Sequence, residues 1–103
     1  MNKIEKLKTF LIQSPGDPFL KHALALEYIK AGDDKTARAL FLELLTLDPD
    51  YIGSYYHLSQ LLERSGEIEN AKSWYEKGMA AAKKSGDSHA YHELQAAYED
   101  LMD

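Results

Sequence analysis

The stretch "AGDDKTARALF" at residues 31–41 comes back as "SGEIENAKSWY" at residues 65–75, and this echo constrains the chain more than any bulk property. Gly32 returns as Gly66, Ala37 as Ala71, Arg38 as Lys72 and Phe41 as Tyr75, each 34 residues further on. The same shift carries Leu24 to Leu58, Ala25 to Ser59, Tyr28 to Leu62 and Pro15 to Pro49, and it reaches back to align Leu7 with Phe41 and Leu11 with Leu45. A fixed period of this length marks a supersecondary unit that buries its apolar face against copies of itself.

Each unit reads as two helices. Asp17 before Pro18 is a start signal: an N-cap acid followed by proline where no amide hydrogen is needed. Leu20, Leu24, Tyr28 and Ala31 follow at helical spacing, and Gly32 supplies the left-handed residue that ends the helix. Asp33 or Asp34 opens the next helix, with Ala37, Leu40, Phe41, Leu44 and Leu45 on one face and Pro49 closing it. The second unit repeats the logic: Tyr55, Leu58, Leu61 and Leu62 before Gly66, then Ile68, Ala71, Tyr75 and Met79.

The two ends read as half-units. Residues 2–13 predict a helix with Ile4, Leu7 and Leu11 on one face and Asn2 with Glu5 as a capping box. Residues 88–102 predict a capping helix with Tyr91, Leu94, Tyr98 and Leu101 on one face. That last helix aligns only at a shift of 36, which takes Tyr55 to Tyr91, Leu58 to Leu94 and Leu62 to Tyr98, so the loop "KKSGDS" holds two extra residues. No segment alternates with period two over a useful length, so a sheet is not expected.

Composition narrows the function classes. There are no cysteines, which removes disulfides, thiolate metal sites and cysteine nucleophiles and suits a cytoplasmic location. The apolar run at residues 10–12 is too short for a signal-peptide core, and no stretch approaches a membrane span. The net charge is −5, and between Asp87 and Asp103 five acids stand against no Lys or Arg. Nucleic-acid recognition needs a clustered basic face, and none is visible, so neither nucleic acid nor membrane is expected as a partner.

The repeat resembles the tetratricopeptide repeat, a 34-residue helix-turn-helix unit. The signature positions hold Leu24–Ala25 and Leu58–Ser59, Tyr28 and Leu62, Gly32 and Gly66, Ala37 and Ala71, Phe41 and Tyr75, with Pro15 and Pro49 closing units. The departures are Lys21 at the leading aromatic position that Tyr55 fills in the second unit, Leu44 and Gly78 at the later small position, and Lys83 where the second unit's proline would stand. The resemblance implies an all-α fold, a right-handed α–α superhelix of about six antiparallel helices. It implies a single domain over residues 1–103, with a half-repeat at 1–15, full repeats at 18–51 and 52–85, and the cap at 88–102.

Chemistry is sparse. His89 and His92 stand three residues apart beside Glu93, but "HAYHE" is neither zinc motif and lacks a third ligand, so no metal site is expected. His57 lies near Ser54 and Ser59 without an orienting group, and no glycine-rich phosphate loop occurs, so catalytic residues are expected to be none and cofactors none. The aromatic positions read as repeat core.

The resemblance also implies a role and a surface. Members mostly act as non-catalytic protein-binding scaffolds whose first helices line a concave groove. The groove positions map onto Phe19, His22, Leu26, Ile29 and Lys30 in the first unit, and onto Gly53, Tyr56, Gln60, Glu63 and Arg64 in the second. Phe19, Leu26 and Ile29 either form an exposed apolar strip or are covered by the neighbouring half-unit. A subgroup grips acidic chaperone tails through a clamp of lysine and asparagines; the matching positions hold His22, Leu26 and His57, so such tails are not expected to bind. The expected partner is a protein or peptide segment, and the alternative is a homodimer or larger self-assembly.

Overall fold

The computed structural model describes residues 2–103, which contain six helices and no strand. Met1, where the first half-unit is expected to begin, lies outside the described residues. The helices are α1 (Lys3–Gln13), α2 (Pro18–Lys30), α3 (Asp34–Leu47), α4 (Gly53–Arg64), α5 (Ile68–Ser85) and α6 (Ser88–Met102). They form two compact units, one ending at Asp48 with α1 to α3, the other running Pro49–Asp103 with α4 to α6.

The boundaries follow from local chemistry. Asp17 accepts hydrogen bonds from the amides of Phe19 at 2.9 Å and Leu20 at 3.4 Å, and Pro18 takes the first helical position. Asn2 Oδ1 accepts from the Glu5 amide at 2.9 Å, and Asp87 does the same for Ala90 at 3.0 Å. Asp33 caps α3 twice over, accepting from the Thr36 amide at 3.1 Å and from the Thr36 hydroxyl at 2.7 Å. Those two bonds hold its carboxyl below the usual aspartate range.

The stops are three copies of one device. Gly32 has φ 81° and Gly66 has φ 82°, a region that costs an L side chain dearly. The left-handed turn lets the Gly32 amide donate to Ile29 and the Asp33 amide to Tyr28, and in the second unit Gly66 donates to Glu63 and Glu67 to Leu62. This is the paired 5→2 and 6→1 pattern that satisfies orphan carbonyls at a helix end. Gly86 repeats it at the end of α5, with Asp87 donating to Ala82.

In the first unit α2 packs on α3 and α1 packs on α2. Leu24, Ala25, Ala37, Phe41, Leu44 and Leu45 are buried. The expected α1 face of Ile4, Leu7 and Leu11 is only half-buried, and Leu20, Tyr28 and Leu40 are half-buried too. Ala31, expected on the buried stripe of α2, is instead its exposed C-cap, because the chain turns away there into Gly32. Lys21 is buried at the leading aromatic position. Its stem crosses the α2–α3 seam and its ammonium reaches Glu43 Oε1 at 3.1 Å, on the exposed side of α3.

In the second unit α5 packs on both α4 and α6. Tyr55, Leu58, Leu61, Leu62, Ala71, Tyr75, Ala82 and Leu94 are buried. Tyr55 lies at the repeat position of Lys21; its ring sits 6.0 Å from that of Trp74, whose other partner is Lys77 Nζ at 4.2 Å from the ring centre. Its hydroxyl donates to the Pro49 carbonyl. Ile68, expected in the core, is 38% exposed, since it opens α5 and has no preceding turn to complete its contacts.

Three helices of this unit converge on Gly78. A Cβ placed there would stand 2.7 Å from Tyr55 Cβ, 3.0 Å from Tyr55 Cγ and 3.1 Å from Leu94 Cδ1. The first two obstacles are the root of a buried side chain and cannot swing aside. Gly78→Ala gains about 1 kcal/mol of helix propensity but incurs about 1–3 kcal/mol of overpacking. The expected net result is a loss of about 1 kcal/mol in urea denaturation, and an unchanged or raised stability would show that α4 and α6 can move apart at no cost.

Candidate functional site, a cleft in the second unit

Two helical stripes face each other in the unit Pro49–Asp103. On α4, Tyr56, Gln60 and Glu63 fall on one side because they stand at steps of four and three. On α6, Glu93, Ala96, Ala97 and Asp100 do the same. Together they line a cleft of about 320 Å³. Its floor is partly aromatic and methyl, and its polar groups are mostly carboxylates.

The cleft is tied to the core through Tyr75 of α5. That ring is fully buried, yet its hydroxyl donates to Glu63 Oε2 and accepts from Gln60 Nε2 at 3.2 Å. Burial, followed by the Glu63 carboxylate as acceptor, pushes the phenol well above its ordinary range, so it remains a donor at any working pH. Glu63 and Gln60 are therefore held by a side chain that cannot itself move. Tyr98 donates to Glu76 Oε2 at 2.8 Å and fastens α6 to α5.

His57, next to Tyr56, is half-buried. Burial lowers its pKa; Glu93 opposes that shift and Arg64 adds to it.

The expected site residues fall in different surroundings. Tyr56 and Gln60 share the cleft, with Glu63. Arg64, the last residue of α4, is exposed and does not line it. In the first unit Phe19 is 64% exposed. His22 stands edge-on to the buried Phe41 ring with centroids 5.8 Å apart, so it serves packing as well as surface. Leu26 and Ile29 are half-buried, and Lys30 is exposed with its ammonium 3.3 Å from Glu27 Oε2. His92 lines a separate hollow near Lys83, Asp87 and Tyr91. Among the described residues no three His, Cys, Asp or Glu side chains are grouped to hold a metal ion. Ser59 Oγ is buried without a hydrogen-bond partner, in keeping with its role as a small packing residue.

Sequence reasoning missed Glu93, Ala96, Ala97 and Asp100 as cleft residues, and it missed the Tyr75 hydroxyl. A signal for two of them was present: the 36-residue shift carries Gln60 to Ala96 and Arg64 to Asp100. Nothing in the sequence sets Tyr75 apart from an ordinary aromatic core residue.

Described helices that pair through three recurrent glycine turns, with a cleft between the first helix of the second repeat and the helix that follows that repeat, define an all-α helical-repeat protein. The tetratricopeptide repeat model matches residues 20–51 and 52–85. A TPR repeat-containing protein of Pseudomonas aeruginosa is 28% identical over 91 residues, covering 88% of this chain and 87% of the relative. The solution structure of a tetratricopeptide repeat domain protein from Salinibacter ruber superposes with a TM-score of 0.81 at 41% identity, over 84% of this chain and 88% of that one. A solution structure of a Bordetella parapertussis protein reaches a TM-score of 0.85 at 26% identity, over 99% of this chain and 89% of that one. The chain belongs to the tetratricopeptide repeat family, with the all-α solenoid fold of that family. Such repeats generally mediate protein–protein interaction and are typically non-catalytic. No described helix is long and apolar enough to cross a membrane.

Two outcomes follow from this geometry. Tyr75→Phe removes a donor to a carboxylate and is expected to lower stability by about 1–2 kcal/mol with helicity intact, measured by urea titration and circular dichroism; no loss would mean that Glu63 is equally well served by water. For His57 the folded pKa lies below 6.5, so the unfolded chain takes up a proton first and stability is complete only above that pH. The melting temperature should fall between pH 7.5 and 5, and fall less in His57→Gln; equal slopes in the two proteins would rule out His57 as a contributor.

Proposed function

We propose that this chain is a non-catalytic interaction module that holds a partner protein through a stripe on the first helix of a repeat. In the second unit the stripe is Tyr56, Gln60 and Arg64; in the first it is Phe19, His22, Leu26, Ile29 and Lys30. The observation that carries the reading is the second-unit cleft, where Tyr56 and Gln60 line a concave space large enough for side chains of another molecule. An aromatic residue beside fixed polar groups is the usual make-up of an energetic anchor. Phe19 supports the same reading for the first unit, because a large apolar side chain 64% exposed gains most from being covered.

Self-association is the second reading. It is favoured by the exposure of Phe10, Ile12 and Leu47, of which Ile12 is 81% exposed. Light scattering across a concentration series separates the two: a stable dimer disrupted by Ile12→Ser or Phe10→Ser supports self-association, and a monomer at all concentrations removes it.

For the first reading, a partner recovered from native lysate is titrated by calorimetry against wild type, Tyr56→Ala and Phe19→Ala. Tyr56→Ala should weaken binding by about 1–3 kcal/mol and Phe19→Ala by less, with helicity unchanged. Unchanged affinity in both variants would place the binding surface elsewhere, and lost helicity in Tyr56→Ala would make that residue a core residue instead.

A further inference from the structure

We infer that the second-unit cleft takes a cationic segment of a protein: an extended or helical stretch carrying Arg or Lys beside an apolar side chain. The inference rests on the reading of this cleft as a binding surface and adds the chemistry of its occupant. Glu63, Glu93 and Asp100 all line the cleft, and no Lys or Arg does. The facing helix α6 has no Lys or Arg along its whole length, so it carries no permanent positive charge. Three carboxylates around one concavity focus a negative potential into it, which raises the on-rate of a cationic ligand and repels an anionic one.

The rest of the lining suits the same occupant. Tyr56 brings an aromatic ring, a partner for an ammonium or guanidinium, to the lining. Ala96 and Ala97 are short, so they leave room for the methylene stem of a long basic side chain and give it an apolar surface. Glu63 is fixed in place by the Tyr75 hydroxyl, so part of the ordering is complete before the ligand arrives. An acidic peptide or a nucleic acid meets the same three carboxylates as repulsion.

The test uses three fluorescein-labelled nonapeptides of equal length and equal leucine content that carry two Arg, two Gln or two Glu at the same positions, titrated by anisotropy against the full chain. The Arg probe should bind at least about tenfold more tightly than the Gln probe, and the Glu probe more weakly still. Glu63→Gln, Glu93→Gln and Asp100→Asn should each weaken the Arg probe by about threefold, and raising the salt concentration should weaken it further. The triple variant should lose the preference for Arg. Glu99→Gln changes the net charge equally on an exposed residue outside the cleft and should leave binding within about twofold. Helicity is checked for each variant. Equal or tighter binding of the Gln or Glu probe that still depends on Tyr56 would overturn the cationic preference and leave the binding surface standing. An Arg preference reduced as much by Glu99→Gln as by the cleft variants would overturn it as a property of net charge alone. Arg binding untouched by Tyr56→Ala and by the triple variant would overturn both the inference and the surface. Absence of binding by all three probes would also overturn the inference, and the partner titration above would then decide the surface by itself.

Discussion

The space above Gly78 is the constraint on which the second unit depends. Tyr55 from α4 and Leu94 from α6 come so close to the α5 backbone there that a single methyl group would meet the root of a side chain at 2.7 Å. Close approach is what lets α5 act as the common neighbour of two helices. It brings Leu58, Leu62 and Tyr75 into full burial and sets the separation at which α4 and α6 face each other. Interiors packed to crystal density transmit such a local distance to everything attached to the helices. The width of the cleft follows from a contact that no cleft residue makes.

The two repeats solve one packing problem with different chemistry. Where the first unit places Lys21 against Glu43, the second places Tyr55 against Trp74, with Lys77 over the indole. Both arrangements tie the first helix of the pair to the second near the same repeat positions. The ion pair has an exposed acid and so is screened by water and salt, whereas the ring contact of Tyr55 with Trp74 is not an ion pair and is not screened in that way. The backbone tolerates both because the glycine turns fix the angle of each hairpin before the side chains are chosen: Gly32 and Gly66 make the same pair of hydrogen bonds at almost the same φ.

Tyr75 joins the core to the site. Its ring fills a repeat-core position, and its buried hydroxyl holds Glu63 and Gln60, which line the cleft. A phenylalanine would serve the packing equally well. The hydroxyl matters because a carboxylate on a solvated helix face normally samples several rotamers, and one anchored from below presents its charge in a fixed place.

The sequence by itself determined the local structure. The 34-residue echo, the caps at Asp17 and Asp33 and the turn glycines set six helices and most of their buried faces, because those signals act within a turn or two of chain. It was less informative where burial depends on neighbours: Ile68 and Ala31 have the right spacing for the core but lie at helix ends, where the covering turn is missing. The candidate site was half legible. Tyr56 and Gln60 were reachable from the repeat register, but Glu93 and Asp100 looked like solvated acids, and the Tyr75 hydroxyl looked like packing. Only tertiary structure decided that these groups share one cleft. Periodicity tells which side of its own helix a residue occupies; which residue it meets on another helix is set by the distance and angle between the helices, and here those follow from the missing side chain at Gly78.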